Sequence, residues 1–311
     1  MKIAVSVVSF SNNRELVEEL KKYFPDYTLN NLGRRYTLEE LIESLRDADA
    51  AIIGLDRINE SVLKHCPKLK FIAKHGIGVD KIDFEACEKY GVKVKLQEGI
   101  NKRSVAELTL GLMLGLIRGA YTSSLELKNN VWNKYGNEGR NLSGKTIGII
   151  GVGNIGKDLV SLLKPFECNI LVNDIREDSE QKKFYKENNL KEFSKEEIYK
   201  FSDIITIHTP LTELTRNMIT KREFRLMKPD SFLINTARGE IVNEDDLIWA
   251  LKNKVIAGAG LDVYSGEIPQ NVELLTLKNV YCTPHIGGTS KESILALGYN
   301  AIKNLRDYFG K

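Results

Sequence analysis

The stretch Lys145-Thr-Ile-Gly-Ile-Ile-Gly-Val-Gly-Asn-Ile-Gly156 decides the fold of this chain. A β-branched run, Ile147 to Ile150, leads straight into Gly151-x-Gly153-x-x-Gly156. A strand that ends in this glycine spacing and opens a helix is the fingerprint of a dinucleotide-binding βαβ unit. The first glycine serves the sharp turn, the second lets a pyrophosphate approach the backbone, and the third lets the helix pack close to the strand. The phosphates then meet a helix N-terminus, whose N–H groups and macrodipole favour an anion. Val160, Leu162, Leu163 and Phe166 continue the apolar helix face, and Asn169-Ile-Leu-Val-Asn-Asp174 reads as a second strand ending in an acid. An acid roughly 20 residues past the glycines can accept from the adenosine ribose hydroxyls, and its charge repels a 2′-phosphate. Asp174 therefore favours NAD over NADP, while Arg176 beside it leaves open the accommodation of a phosphate.

The fingerprint lies in mid-chain, so folded structure is expected on both sides of it. Upstream, apolar runs at Ile3–Val8, Ala50–Gly54, Leu69–Ala73 and Val92–Leu96 alternate with amphipathic stretches at Arg14–Tyr23 and Thr37–Asp47. This is the rhythm of a parallel sheet. Thr37-Leu-Glu-Glu40 is a capping box, with Leu38, Leu41, Ile42 and Leu45 on one face of the helix it opens. Ser104-Val-Ala-Glu107 reads as another, starting a helix too apolar for water, buried between domains or against a second subunit. Residues 129–140 are polar and read as a loop. Strands are predicted at 146–150, 169–173, 203–207, 231–235, 256–261 and 279–282. Thr289-Ser-Lys-Glu292 is predicted to cap a final helix with Ile294, Leu297, Ala301, Ile302 and Leu305 inward.

Composition narrows the class. The 311 residues suit two domains, and 42% hydrophobic content suits a globular chain. A net charge of +3 argues for neither nucleic-acid nor membrane partners. Cys66, Cys87, Cys168 and Cys282 form no CxxC pair and no zinc-like cluster, so no metal is expected. With no signal-peptide pattern and no long apolar run, a cytoplasmic location is expected.

Further motifs follow in order: Gly76-Ile-Gly-Val-Asp80 with Ile82-Asp83, Ser104-Val-Ala-Glu107, Phe201-Ser-Asp-Ile-Ile-Thr-Ile-His-Thr-Pro210, Leu233-Ile-Asn-Thr-Ala-Arg-Gly239, Gly260-Leu-Asp-Val-Tyr-Ser-Gly-Glu267 and Thr283-Pro-His-Ile-Gly-Gly288. On these motifs the chain resembles the D-isomer-specific 2-hydroxyacid dehydrogenases over nearly its whole length. The resemblance implies an α/β protein of two domains, a Rossmann NAD-binding domain at 103–287 inserted into a flavodoxin-like substrate domain at 1–102 and 288–311, with the active site in the cleft between them.

The resemblance also implies residue roles. Arg238 would grip the substrate carboxylate and carbonyl oxygen with its planar fork of donors. His285 would take or give the hydroxyl proton, as an imidazole can near neutral pH, and Glu267 would hold that ring. Besides Gly151, Gly153, Gly156 and Asp174, the NAD contacts would be Asn154, Ile155, His208, Thr209, Pro210, Thr236, Ala237, Asp262, Gly287 and Gly288. Substrate would meet His75, Gly76, Ile77, Gly78 and Asn101 together with Arg238 and His285.

The implied reaction interconverts a D-2-hydroxy acid and its 2-oxo acid with NAD. Lys74, His75, Lys102 and Arg103 flank the substrate segments and would suit a phosphorylated or dicarboxylic substrate. That points to D-3-phosphoglycerate-type members, with glyoxylate or hydroxypyruvate reduction as the alternative. An NAD(H)-sensing co-repressor-like binding protein is the reading from another class. A homodimer is expected, with the apolar helix and Trp132 as its candidate contact. The chain ends at Lys311 after the last helix, so control by serine through an appended regulatory domain is not expected.

Overall fold

The computed structural model describes residues 1–311, which form two compact units: Met1–Asn101 with Gly288–Lys311, and Lys102–Gly287. The first unit holds five parallel strands, β1 (Lys2–Val5), β2 (Asp26–Leu29), β3 (Ala50–Ile53), β4 (Phe71–Lys74) and β5 (Lys93–Lys95), in the order β2-β1-β3-β4-β5. This is the flavodoxin-like doubly wound order. Its central strands β3 and β4 are buried along their whole length, as expected of a parallel sheet with both faces covered. The helix Lys291–Phe309 places Ala301, Ile302 and Leu305 in one core cluster with Ile3, Val5 and Phe71.

The second unit holds seven parallel strands, β6 (Thr146–Ile150), β7 (Asn169–Asn173), β8 (Lys191–Glu192), β9 (Ile204–Ile207), β10 (Phe232–Asn235), β11 (Gly258–Leu261) and β12 (Val280–Cys282). Their order is β12-β11-β10-β9-β6-β7-β8. The strand order reverses between β6 and β9, and an open α/β sheet binds its ligand outside the carboxyl ends of strands at such a point. No helix in either unit is long and apolar enough to cross a membrane.

Several local expectations need correction. β1 stops at Val5, and Val8–Ser11 is a helical turn, because Ser6 makes the last ladder bond to Ile52. β2 and β8 have too little burial to show an apolar pattern. Thr37 caps its helix through a full capping box, but Leu38 is exposed and Leu41 and Leu45 carry the buried face. The final helix is capped by Ser290 rather than Thr289, its hydroxyl accepting from the Ser293 amide.

Ser104 is not a cap at all. Its helix begins two residues earlier, spanning Lys102–Ile117, and the Ser104 hydroxyl donates to the Gly287 carbonyl at 2.6 Å. The apolar character of that helix is used inside its own unit, where Ala106, Leu112, Met113 and Leu116 join the core formed by Ile147, Ile149, Leu159 and Ile234. Its composition therefore gives no evidence for a second subunit. Exposed apolar residues follow this helix at Leu125 and Leu127 of the helix Ala120–Lys128 and at Val131, Trp132 and Tyr135.

Candidate active site

The glycine turn sits at the reversal point. Gly151 has φ +94°, and a methyl group there would lie 2.7 Å from the His208 carbonyl. A methyl at Gly156 would overlap the Gly151 carbonyl oxygen. At Gly153 the same group would meet nothing, and no side chain caps the helix Asn154–Leu163 that follows. The open side of the turn thus faces Gly153 and an uncapped helix N-terminus that includes Asn154 and Ile155, which fits a diphosphate. Across the reversal point, His208 Nδ1 and Thr209 Oγ1 are enclosed without hydrogen-bond partners. Pro210 follows them and accepts from Thr215 through its carbonyl.

Asp174 stands just past β7. Its carboxylate accepts from the Val152 amide at 2.6 Å and the Arg176 amide at 2.9 Å. The Arg176 guanidinium is folded back, donating to the Val152 carbonyl at 2.8 Å and to Gln181 Oε1 at 3.0 Å. Gln181 is itself buried and bonded to Tyr185. Arg176 is thereby engaged with the glycine turn. The pocket residues fit NAD, whose nicotinamide supplies the hydride-accepting or hydride-donating carbon when bound.

Three loops of the same unit carry Arg238, Glu267 and His285. The first follows β10. The buried Asn235 holds it at both ends, accepting from the Ala237 amide at 3.0 Å and donating to the Arg238 carbonyl at 2.8 Å. The Thr236 hydroxyl pairs with Thr109 at 3.0 Å, so it is turned toward the helix Lys102–Ile117. Arg238 Nη1 donates to the Ala237 carbonyl at 2.7 Å. Gly239 lets this loop touch the second one: a methyl there would overlap the Tyr264 carbonyl carbon and the Ser265 amide.

The second loop carries Glu267 and the third His285. His285 Nδ1 lies 2.5 Å from Glu267 Oε1, and both side chains are largely buried, at 24% and 17% exposure. The contact assigns Nδ1 to the carboxylate and leaves Nε2 as the nitrogen on the far side of the ring. Both residues have left-handed backbones, φ +55° for His285 and φ +78° for Glu267. Such non-glycine conformations cost on the order of 1–3 kcal/mol each and persist where the surroundings over-determine them.

Asp262 supplies much of that determination. It is buried, and it accepts from Thr283 Oγ1 at 2.6 Å, the Ile286 amide at 2.8 Å and the Gly287 amide at 2.7 Å. A carboxylate has about four acceptor positions, so Asp262 spends most of its capacity on the loop that carries His285.

Of the remaining residues singled out from the sequence, His75, Gly76, Ile77, Gly78, Asn101 and Gly288 belong to the first unit. His75 ends the ladder beyond β4, its amide donating to Ile53 at 2.8 Å. Gly76 has φ +136°, and Ile77 and Gly78 follow in the loop. Asn101 and Gly288 lie together, a methyl at Gly288 falling 3.0 Å from Asn101 Nδ2, with Asn101 Oδ1 enclosed and unpartnered. Asp83 is an N-cap, accepting from the Ala86 amide. Of the three flanking Lys and Arg residues, Lys102 is exposed and Arg103 is paired with Asp158 at 2.8 Å. Lys74 is 3% exposed, and its ammonium donates to the Gly54 carbonyl.

Burial pushes the His75 imidazole down to about 4 and that of His208 to about 3. Both are neutral at pH 7, so His75 adds no cation. The unfolded chain binds a proton at each imidazole below about 6.5, whereas the folded chain does so only at the lowered values. Stability is therefore expected to fall as pH drops from about 6.5 toward 4, by up to about 1.4 kcal/mol per pH unit for each histidine. Urea midpoints measured across that range should show this loss, and His75→Gln should reduce it. A variant with the slope of the wild type would contradict the assignment.

An NAD-cradling sheet with an imidazole–carboxylate pair and a guanidinium at its strand ends defines an NAD-dependent dehydrogenase. Residues 110–287 match the family model for the D-isomer specific 2-hydroxyacid dehydrogenase NAD-binding domain. A glyoxylate reductase of Thermococcus litoralis is 37% identical over 275 residues, covering 85% of this chain and 82% of that one. A D-3-phosphoglycerate dehydrogenase of Methanocaldococcus jannaschii is 38% identical over 84% of this chain, which spans only 50% of that relative's length. A D-lactate dehydrogenase from Aquifex aeolicus, solved with NAD and lactic acid, superposes with a TM-score of 0.84 at 26% identity, covering 100% of this chain and 96% of that one. The chain belongs to the D-isomer-specific 2-hydroxyacid dehydrogenases, and it is an NAD-dependent oxidoreductase.

Proposed function

We propose that this dehydrogenase interconverts 3-phosphoglycerate-like D-2-hydroxy acids and their 2-oxo acids. The reading is carried by the 2.5 Å contact between His285 and Glu267 in the unit that also presents Arg238. Arg238 holds the carboxylate and the carbonyl oxygen. In reduction, His285 Nε2 delivers the proton to that oxygen; in oxidation it removes it. Glu267 fixes the ring through Nδ1. Asp174 selects NAD, and Asp262 retains one acceptor position for the carboxamide.

The substrate class rests on Lys74. A parallel doubly wound sheet binds ligands outside its carboxyl strand ends, and the buried Lys74 ammonium stands at the end of β4, 3.6 Å from where a methyl on Gly76 would lie. Such a cation supports an acid with a second anionic group. Glyoxylate or hydroxypyruvate reduction is the second reading, favoured by Lys102 being exposed, by Arg103 being paired with Asp158 and by the fuller coverage of the glyoxylate reductase relative.

The discriminating experiment compares kcat/KM for 3-phosphohydroxypyruvate, hydroxypyruvate, glyoxylate and pyruvate. Lys74→Gln is expected to raise KM for the phosphorylated acid about 10- to 100-fold, the worth of one charge-assisted hydrogen bond, with little change for glyoxylate. Equal effects on all four acids would remove the second-anion reading. We further propose a cytoplasmic homodimer that uses the exposed apolar residues around Trp132. A monomer by light scattering would reject it.

A further inference from the structure

The three loops bearing Arg238, Glu267 and His285 converge on one residue with no chemistry of its own in the reaction. Tyr264 is 4% exposed. Its carbonyl accepts from the Glu267 amide at 3.2 Å, and its backbone is the surface against which Gly239, next to Arg238, is pressed. Its hydroxyl donates to the Thr283 carbonyl at 2.9 Å and lies 3.2 Å from the Leu261 carbonyl. The same Thr283 oxygen accepts from the His285 amide at 3.1 Å. That i to i+2 bond closes a three-residue turn centred on Pro284, and His285 leaves the turn with its left-handed φ of +55°. The hydroxyl therefore holds the oxygen about which the His285 backbone turns, and burial pushes its ionisation far above the ordinary tyrosine range, so it remains a donor.

We infer that Tyr264 is a positioning residue whose hydroxyl sets the placement of the His285 ring against Glu267. Asp262 grips the far side of the same loop through the Ile286 and Gly287 amides. Tyr264 fixes the near side, so the strained residue between them is held at both ends. Without the hydroxyl the loop keeps its Asp262 contacts and its fold, but the turn at Pro284 is free to relax. Relaxation moves the imidazole, because the turn and the ring share one backbone. A displacement near 1 Å at a catalytic group can cost on the order of 100-fold in rate.

This inference rests on His285 and Glu267 being the acid–base pair, so the test compares wild type, His285→Gln, Tyr264→Phe and Tyr264→Leu. Tyr264→Phe is expected to lower kcat about 10- to 100-fold, with KM for the oxo acid and NADH affinity nearly unchanged. The loss should fall on kcat and leave KM in place, the split that a misplaced His285 ring produces. Tyr264→Leu, which also loses the ring, should melt lower but show the same split. A Tyr264→Phe enzyme with wild-type kcat would overturn the inference. So would a kcat loss confined to Tyr264→Leu, which would assign the effect to ring packing. An active His285→Gln would instead overturn the acid–base reading on which the inference stands.

Discussion

His285→Gln is expected to lower kcat by about 100- to 10,000-fold, the range general acid–base catalysis supplies, while NADH binds as in the wild type. Glutamine can approximate the ring's volume and keep a donor toward Glu267, but it cannot carry a proton to or from substrate. The loop that carries His285 is held by groups the substitution leaves in place: the three donors to Asp262 and the Tyr264 hydroxyl on Thr283. The nucleotide cradle at Gly151–Gly156 is built from other strands. Loss of rate with retained NADH affinity, followed by stopped-flow and fluorescence titration, is therefore the signature. Turnover that survives would remove His285 from the proton path.

Gly239→Ala is expected to be nearly as damaging by a different route. The added methyl would overlap backbone atoms of Tyr264 and Ser265 rather than a flexible side chain. Relief requires the Arg238 loop to separate from the loop that carries Glu267. Overpacking of this kind costs about 1–3 kcal/mol, and the accompanying shift of Arg238 should reduce kcat/KM by on the order of 100-fold. Thermal melting and steady-state kinetics on the same preparation check both parts. A variant with wild-type kcat/KM would show that the two loops need not touch.

These two sites differ in how readily the sequence discloses them. The glycine turn, the strands around it and the helix over Arg14–Tyr23 follow from periodicity and from residues whose conformational roles are local. Arg238, Glu267 and His285 are reactive residue types in motifs, so they stand out. Their supports do not. Asn235 reads as a strand-end residue until its side chain is seen closing the loop to Arg238. Tyr264 reads as core, and its hydroxyl meets an acceptor 19 residues away. Asp262 stands out for a cofactor contact, yet its donors lie 21 to 25 residues downstream.

Charged and hydroxyl residues mislead for the same reason. Arg103 sits beside a substrate segment in the sequence, but Asp158 takes it. Ser104 has the pattern of a cap, but its hydroxyl is spent on Gly287. Spacing specifies neighbours within a turn or a strand. It does not specify which distant group occupies a donor, and the assembly of this site is made of such pairs.

Hydride transfer itself is the most direct test of the central claim. The protein is mixed with NADH carrying deuterium at the transferable position and with a pool of 3-phosphohydroxypyruvate, hydroxypyruvate, glyoxylate and pyruvate, and the acids are then resolved by chiral chromatography and mass spectrometry. The expected result is deuterium at C2 of a 2-hydroxy acid, in the D enantiomer wherever C2 is a stereocentre. NADH bound tightly with no deuterium in any acid, or deuterium in the L enantiomer, would contradict it.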